Sequence, residues 1–381
     1  MKNKYLILIL LLIFVTNNCF LYLYVNTTDP KNEVDNLVFG YNEVVKVSKY
    51  IDTEEEVYLD TSILGENKYE DDNNIIYYKV VDNNPPLILG NNVTTTLGKN
   101  VNLVNKFLCG DDLDDTPKCY VEGEYDVNKL GTYKLTYIAE DASGNKNIKN
   151  FNLKVVKPSN SSSTNNEKQK VKISEYIKKY KTNYTSIGID VSSWQYDIDW
   201  KKVKDSGVEF AMIRIGFGHT LKGEIIIDNT FKQNIKNAKE QGIKVGVYIY
   251  SYAGSEEQAR NQVKWIVKEL DGQELDLPIA FDWEDWSDFN TYKVSFKTLS
   301  SIADAFIDEA KKNGYDGMLY GSAYYLNTIW KSPQKTWLAY YTNNNDYKGK
   351  YLMWQATSSG SVSGISTAVD INILYNTKKD L

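Results

Sequence analysis

From Ser186 onward the chain alternates short apolar runs with helical patterns, and that rhythm leaves the C-terminal half few folds to choose from. The runs "SIGIDVS", "FAMIRIGF", "KVGVYIYSYA", "LPIAFDWE" and "GMLYGSA" are separated by "DWKKVKDSG", "NTFKQNIKNAKEQG", "SEEQARNQVKWIVKELDG" and "FKTLSSIADAFIDEAKKNG". Each helical pattern stops at a glycine, Gly207, Gly242, Gly272 or Gly314, as expected where a helix ends in a left-handed residue and a strand follows. Strands that alternate with helices lie parallel and are joined by right-handed crossovers. Three more runs, "TWLAYY", "YLMWQAT" and "VDINILY", follow with little room for helices between them. Eight strands are enough to close a barrel.

In such a barrel the chemistry sits where strands emerge at their C-terminal ends. "PIAFDWEDW" begins as a buried strand and then carries Asp282, Glu284 and Asp285. Residues two apart on a strand share a face, so Asp282 and Glu284 point the same way, their carboxyl carbons about 6 to 7 Å apart at a rise of about 3.3 Å per residue. Asp285 is out of phase and is expected to be solvated. Asp190 ends the first strand within "GIDVSSWQ", and Asp370 begins the last within "VDINIL". These two meet the same cleft provided the eighth strand runs antiparallel to the first.

Composition removes other chemistries. His219 is the single histidine, which excludes multi-histidine metal sites and leaves acid–base work to carboxylates; it reads as a surface loop residue. No metal or cofactor is expected. The net charge of -6 argues against a nucleic-acid partner, because phosphate binding needs concentrated Lys and Arg. All eight Trp residues fall between Trp194 and Trp354, so large flat rings are confined to the barrel half. Carboxylates that converge near Trp194, Trp283 and Trp354 suit a glycosidase, in which crowding holds a proton on one acid and ring faces stack on sugars.

The first half is organised differently. Lys2 and Lys4 precede an apolar stretch from Tyr5 to Val25, the charge order of an export signal and about the length of a membrane span. Residues 1–26 are read as an uncleaved anchor that leaves the bulk of the chain outside the cell membrane; the alternative is a cleaved signal peptide and a secreted protein. Cys19 falls within that stretch. "DTSILGENKYE" from Asp60 and "DVNKLGTYKLTY" from Asp126 share Asp, Leu-Gly and Lys in the same order, and mark a short tandem repeat. The expected units are a shorter β domain over 27–84 and a small antiparallel sandwich over 85–157, where apolar and polar residues alternate between turn signals. Both are expected to act as spacers. Cys109 and Cys119, ten residues apart, either pair or stay free. Residues 158–186 read as a flexible basic linker, although Ile173, Tyr176, Ile177, Tyr180 and Tyr184 have helical spacing suited to packing on the next domain.

"LGTYKLTYIAEDASGN" resembles the bacterial immunoglobulin-like repeats of cell-surface proteins. The blocks "GIDVSSWQYDIDWKKVKDSGVEFAMIRIGFG", "DNTFKQNIKNAKEQGIKVGVYIYSYA", "LPIAFDWE", "WLAYY", "MWQATSSGSVSGI" and "VDIN" resemble, in order and spacing, glycoside hydrolase family 25, the lysozymes or N,O-diacetylmuramidases. That resemblance implies a flattened TIM-like barrel of five strand-helix units plus three strands over 187–381. It also implies cofactor-free hydrolysis of the β-1,4 bond between N-acetylmuramic acid and N-acetylglucosamine in peptidoglycan, with retention. Glu284 matches the proton donor, and Asp282 the partner that stabilises the oxocarbenium-like state or positions the substrate's acetamido group. Asp190 and Asp370 match the outer acids of the cleft, and Tyr248 and Tyr341 match rings that line it. Trp337, Gln355 and Trp194 are expected to contact substrate as well. Ala356 departs from the family's usual Tyr after "WQ", which predicts a more open wall. The partners implied are peptidoglycan glycan strands and the membrane. Two alternatives stay open: a surface protein that binds glycan without turnover, and a hydrolase of another N-acetylhexosamine polymer.

Overall fold

The structure, a computed structural model, describes residues 31–53, 56–158, 170–218, 223–331 and 334–375. The expected anchor over 1–26 with Cys19, residues 159–169 of the linker, and His219 lie outside the described residues; the rest of the expected linker is not a flexible tether but carries a short strand, a helix and the start of the first barrel strand. Among those described, no helix is long and apolar enough to cross a membrane. The chain divides into two compact units, one reaching to Asp82 and the other beginning at Asn83.

In the first unit, β2 (Gly65–Glu70) and β3 (Asn74–Val81) form an antiparallel hairpin, and β1 (Asn32–Gly40) lies parallel to β3. Alternation along β3 turns Ile76, Tyr78 and Val80 into a small core with Phe39, Val47 and Leu59.

The second unit begins with β4 (Leu87–Leu89), β5 (Val93–Thr96), β6 (Leu108–Gly110), β7 (Lys118–Glu122), β8 (Gly131–Glu140) and β9 (Lys146–Val156). The sheet β5-β9-β8-β7 faces the ribbon β4-β6 across a core of Ile88, Phe107, Leu135, Tyr137, Phe151 and Leu153. A Cys109–Cys119 disulfide joins β6 to β7, so the two layers are stitched where sequence left pairing open. The two segments likened in sequence can be compared strand by strand. The hairpin β8–β9 with β5 parallel to β9 has the pairing pattern of β2–β3 with β1. Gly65 opens β2 as Gly131 opens β8. Each strand is approached through an aspartate turn: Asp60 accepts the Ser62 N–H at 3.0 Å and Asp126 accepts the Asn128 N–H at 2.8 Å, a local bond that offers the backbone a turn instead of a strand.

The barrel half contains, in order, β10 (Val171–Lys172), α1 (Ile173–Tyr180), β11 (Thr185–Val191), α2 (Trp200–Asp205), β12 (Phe210–Gly218), β13 (Ile225–Ile227), α3 (Phe231–Glu240), β14 (Lys244–Tyr250), α4 (Glu256–Leu270), β15 (Ile279–Asp282), α5 (Phe296–Lys312), β16 (Gly317–Ser322), α6 (Ala323–Thr328), β17 (Thr336–Ala339), β18 (Met353–Ser361) and β19 (Val369–Tyr375). Strands β11, β12, β14, β15, β16, β17 and β18 run parallel in that spatial order. β19 is antiparallel to both β18 and β11 and closes the ring. The spacing of apolar runs predicts the eight strands, and five strand-helix units followed by three strands are what the resemblance implies. Gly207, Gly242, Gly272 and Gly314 all have positive φ, from 63° to 91°, so the glycines after α2, α3, α4 and α5 occupy the left-handed conformation that ends each helix.

α1 packs on the barrel through Ile173 and Tyr176, and Tyr180 meets Trp354 edge-on with ring centroids 5.3 Å apart. Tyr184 does not share that face, contrary to its helical spacing. The chain becomes extended at Lys181 to start β11, which leaves Tyr184 65% exposed.

Two packing layers follow from strand parity. Ile187, Ile189, Ala211, Ile213, Val245, Val247, Ile279 and Phe281 face outward beneath the helices, while Phe210, Met212, Ala280, Met318, Met353 and Leu374 fill the barrel. Gly188 faces inward between outward Ile187 and Ile189, and a Cβ there would sit 2.5 Å from the Phe210 ring and from its carbonyl oxygen. Gly188→Ala is therefore expected to destabilise the barrel by about 1–3 kcal/mol through overpacking. Urea unfolding followed by tryptophan fluorescence reads this directly, since every Trp lies in the barrel half; an unchanged midpoint would show that the ring gives way freely.

Candidate active site

The same parity that fills the barrel delivers polar groups to its mouth. Two residues beyond inward Gly188 comes Asp190, and β19 places Asp370 directly opposite it in register. On β15, Phe281 and Trp283 point outward, with the Trp283 indole N–H donating to the Ala253 carbonyl at 3.1 Å. That anchor turns Asp282 and Glu284 inward. Asp282 pairs in register with Tyr250 of β14 and Tyr320 of β16.

Asp190 is buried, and one of its oxygens, Oδ2, accepts from Asn372 Nδ2 at 2.8 Å and Gln355 Nε2 at 2.9 Å. The Trp337 indole, which can only donate, gives its N–H to Asn372 Oδ1 at 2.8 Å, and this fixes the amide so that its NH₂ faces the acid. Gln355 Oε1 in turn accepts from the hydroxyls of Tyr320 and Tyr341, both at 2.9 Å. Everything reaching Asp190 in this network is a donor, which favours its charged form.

Burial acts the other way on all four acids. It raises Asp190 to about 6 despite the two amide donors. Burial and then the Asp190 charge raise Asp370 to about 8, with a smaller push from Glu284. Glu284 is raised by burial and by Asp190. Asp282 is raised well above the usual range by burial, then by Glu284 and Asp190, against the pull of Arg214. Asp282 Oδ1 is buried with no hydrogen-bond partner. The charge of Asp190 thus reaches Asp282, Glu284 and Asp370, and that of Glu284 reaches Asp282 and Asp370, each pushing its neighbours toward the protonated form.

Arg214 brings a positive charge to this mouth. Its Nε and Nη2 reach Asp228 Oδ2 at 2.9 and 2.8 Å, and Nη2 also donates to the Ser193 hydroxyl at 3.0 Å. Burial alone would push Asp228 up, but the N–H groups of Ser193 and Thr230, the Thr230 hydroxyl and Arg214 together bring it below the usual range. Arg214, Asp228, Asn372 and Tyr320 are absent from the sequence-based site. Parity is the signal that finds three of them: Arg214 interrupts an apolar run on the inward phase of β12, Tyr320 follows inward Met318, and Asn372 follows inward Asp370 by two.

The aromatic residues sort into two groups. Trp194 is 71% exposed and Tyr341 is 57% exposed, so both present ring surface to solvent, with the Tyr341 hydroxyl turned inward to Gln355. Tyr248 packs edge-on against Trp337, with ring centroids 5.8 Å apart, inside the barrel. Trp337 and Gln355, expected to touch substrate, are buried at 1% and 4% exposure. Their polar atoms are spent on Asn372 and Asp190, so they support the acids from beneath. Asp285 is not solvated as its phase suggests; it is partly buried and accepts the Tyr292 hydroxyl at 2.7 Å. Ala356 lies in the outer layer with Trp354, on the face opposite Gln355, so the absence of a larger side chain there does not open the cleft.

A partly buried mouth in which several carboxyls compete for protons is the arrangement of a glycoside hydrolase, where one acid delivers a proton to a departing sugar oxygen. Residues 189–365 match the family described as glycosyl hydrolases family 25. Protein YegX of Escherichia coli (strain K12), itself described as uncharacterized, is 28% identical over 208 residues, which cover 52% of this chain and 73% of that protein. The autolytic lysozyme of Clostridium acetobutylicum is 30% identical over 189 residues, 49% of this chain and 54% of that protein. Among solved structures, the modular autolysin LytC from Streptococcus pneumoniae in complex with synthetic peptidoglycan ligand aligns at 27% identity and a TM-score of 0.45, over 63% of this chain and 56% of that one. The chain therefore spans about half the length of the last two proteins.

The raised acids carry a signature in stability. An unfolded aspartate releases its proton near pH 3.9, about, whereas Asp190 and Asp370 hold theirs to about 6 and about 8. Between those limits the folded chain binds more protons than the unfolded one, so stability falls as pH rises from roughly 4 to 8. Asp370→Asn is expected to flatten this fall by about 3–4 kcal/mol between roughly pH 5 and pH 8. Urea midpoints of parent and variant at the two pH values check it; parallel pH dependences would mean that Asp370 titrates normally.

Proposed function

We propose that the protein is a muramidase that cleaves the β-1,4 bond between N-acetylmuramic acid and N-acetylglucosamine in peptidoglycan. The observation that carries this reading is the crowding of Glu284 with Asp190, Asp282 and Asp370 at the barrel mouth, in a barrel whose residues 189–365 match family 25. The autolytic lysozyme among its relatives points to the same substrate.

The residues divide the work. Glu284 hands its proton to the glycosidic oxygen as the bond from the anomeric carbon breaks. Asp282, its buried Oδ1 unpartnered, faces the positive charge that develops on the sugar, or orients the substrate's acetamido group to meet it. Asp190, held as an anion by Asn372 and Gln355, keeps the proton on Glu284 until a leaving group needs it. Trp194 and Tyr341 offer exposed ring faces on which pyranose rings stack.

The rest of the chain fits reach toward a cell wall: a membrane anchor over 1–26, then immunoglobulin-like units and a basic linker that lead to the barrel outside the membrane. A disulfide such as Cys109–Cys119 suits that oxidising location.

Incubation of the full chain with purified peptidoglycan should create new N-acetylmuramic acid reducing ends. Glu284→Gln should lower the rate about 100-fold or more, the usual loss with a general acid, while glycan binding persists. Equal rates in variant and parent would displace Glu284 from this role, and binding without any release by the parent would favour a glycan-binding protein.

A further inference from the structure

The segment that leads from Glu284 to α5 is held from outside the barrel. It starts as a knot of rings: Trp283 meets Trp286, Tyr292 and Phe289 at centroid distances of 4.8, 5.0 and 6.1 Å. The Glu284 carbonyl accepts the Trp286 N–H at 2.8 Å, which ties the backbone of the proton donor to this knot. The knot's far side rests on the β-sandwich. Asn290 accepts the Cys109 N–H at 2.9 Å and donates to the Phe107 carbonyl at 3.0 Å, so its amide pairs with strand backbone as a neighbouring strand would.

The start of α5 is completed by the same loop. A helix begins with N–H groups that have no partner within it, and these favour negative charge. Here the N–H groups of Phe296 and Lys297 donate to the carbonyls of Asp111 and Asp112 at 2.8 and 3.1 Å. Asp115 Oδ1 accepts the Ser295 N–H at 2.6 Å and the Thr298 hydroxyl at 2.9 Å. Gly110 permits the approach, since a Cβ there would fall 2.5 Å from the Phe289 ring and 2.7 Å from that of Phe296. The Cys109–Cys119 disulfide closes this loop, and a crevice of about 190 Å³ lined by both cysteines, Pro117 and Val294 reaches it.

We propose that the disulfide-closed loop of the sandwich, acting through Asp115 and Asn290, positions the proton donor: it sets the segment after β15 and thereby the aim of Glu284. The proposal rests on the reading of Glu284 as general acid. It makes the sandwich part of the enzyme rather than a spacer, because the contacts fall on the one barrel segment that continues from that residue.

The test uses the full chain with Asp115→Ala, and Asp115→Asn as the variant that keeps the accepting oxygen. Misplacement of a catalytic group by a distant change costs turnover rather than binding, so Asp115→Ala should lower kcat about tenfold and leave KM within about twofold. Asp115→Asn should restore most of the loss. Reduction of the disulfide, which the crevice allows, should lower kcat in the same direction. Amide exchange over 284–298 should quicken about tenfold in Asp115→Ala, with no change over Phe231–Glu240. Unchanged exchange over 284–298 would overturn the proposal, as would faster exchange with unaltered kcat, or a loss that Asp115→Asn fails to rescue. Should the parent release no glycan, the muramidase reading falls; the exchange measurement, which needs no turnover, still decides whether the loop holds the segment.

Discussion

Alternation along a closed ring of strands governs both the stability and the chemistry of this barrel. A strand residue faces either the helices or the interior, and closure by β19 leaves no edge at which an inward side chain escapes. The lower interior is apolar, from Phe210 to Leu374, so a carboxyl that emerges just above it is poorly solvated. Four such carboxyls at one mouth cannot all ionise cheaply. The protein resolves the competition by choice of partner. Asp190 receives two amide N–H groups that favour its anion, while its charge pushes Glu284 and Asp370 toward their protonated forms. Proton donation at neutral pH is thus a property of the layer beneath the acids as much as of the acids themselves.

Much of this was legible in the sequence. The terminal glycines mark four helix ends, and the apolar runs between them give the strands in order. Asp282 and Glu284 are two apart on a strand that has to be buried, and Asp370 reaches Asp190 only because the last strand reverses direction. Less legible was what each inward residue touches. Trp337 and Gln355 look like cleft residues in a linear reading, yet their polar atoms are claimed by Asn372 and by Asp190 from strands distant in sequence. Ala356 reads as a missing wall only until its phase relative to Gln355 is fixed. Asp285 looks solvated until Tyr292 folds back onto it. In each case the deciding contact is tertiary, and a local pattern carries no information about it.

The N-terminal half shows the same division. A few shared residues, Asp60 with Asp126 and Gly65 with Gly131, point to a repeat, and in both segments a hairpin carries a third strand parallel to its second. The bond between Asp115 and Ser295 spans 180 positions. No spacing or periodicity foretells it. It alters the meaning of the domain arrangement, because a barrel cut away from the sandwich would lose partners for the first turn of α5.

The central claim is that the acids of the mouth share protons at neutral pH. Carboxyl carbon NMR of the full chain, labelled at Asp and Glu and assigned for Glu284 with its Gln variant, measures this most directly. The account predicts that the Glu284 carboxyl is still protonated at neutral pH, with a titration step that moves when Asp190 loses its proton. A Glu284 signal that is fully ionised in mildly acidic solution, and indifferent to Asp190, would contradict it.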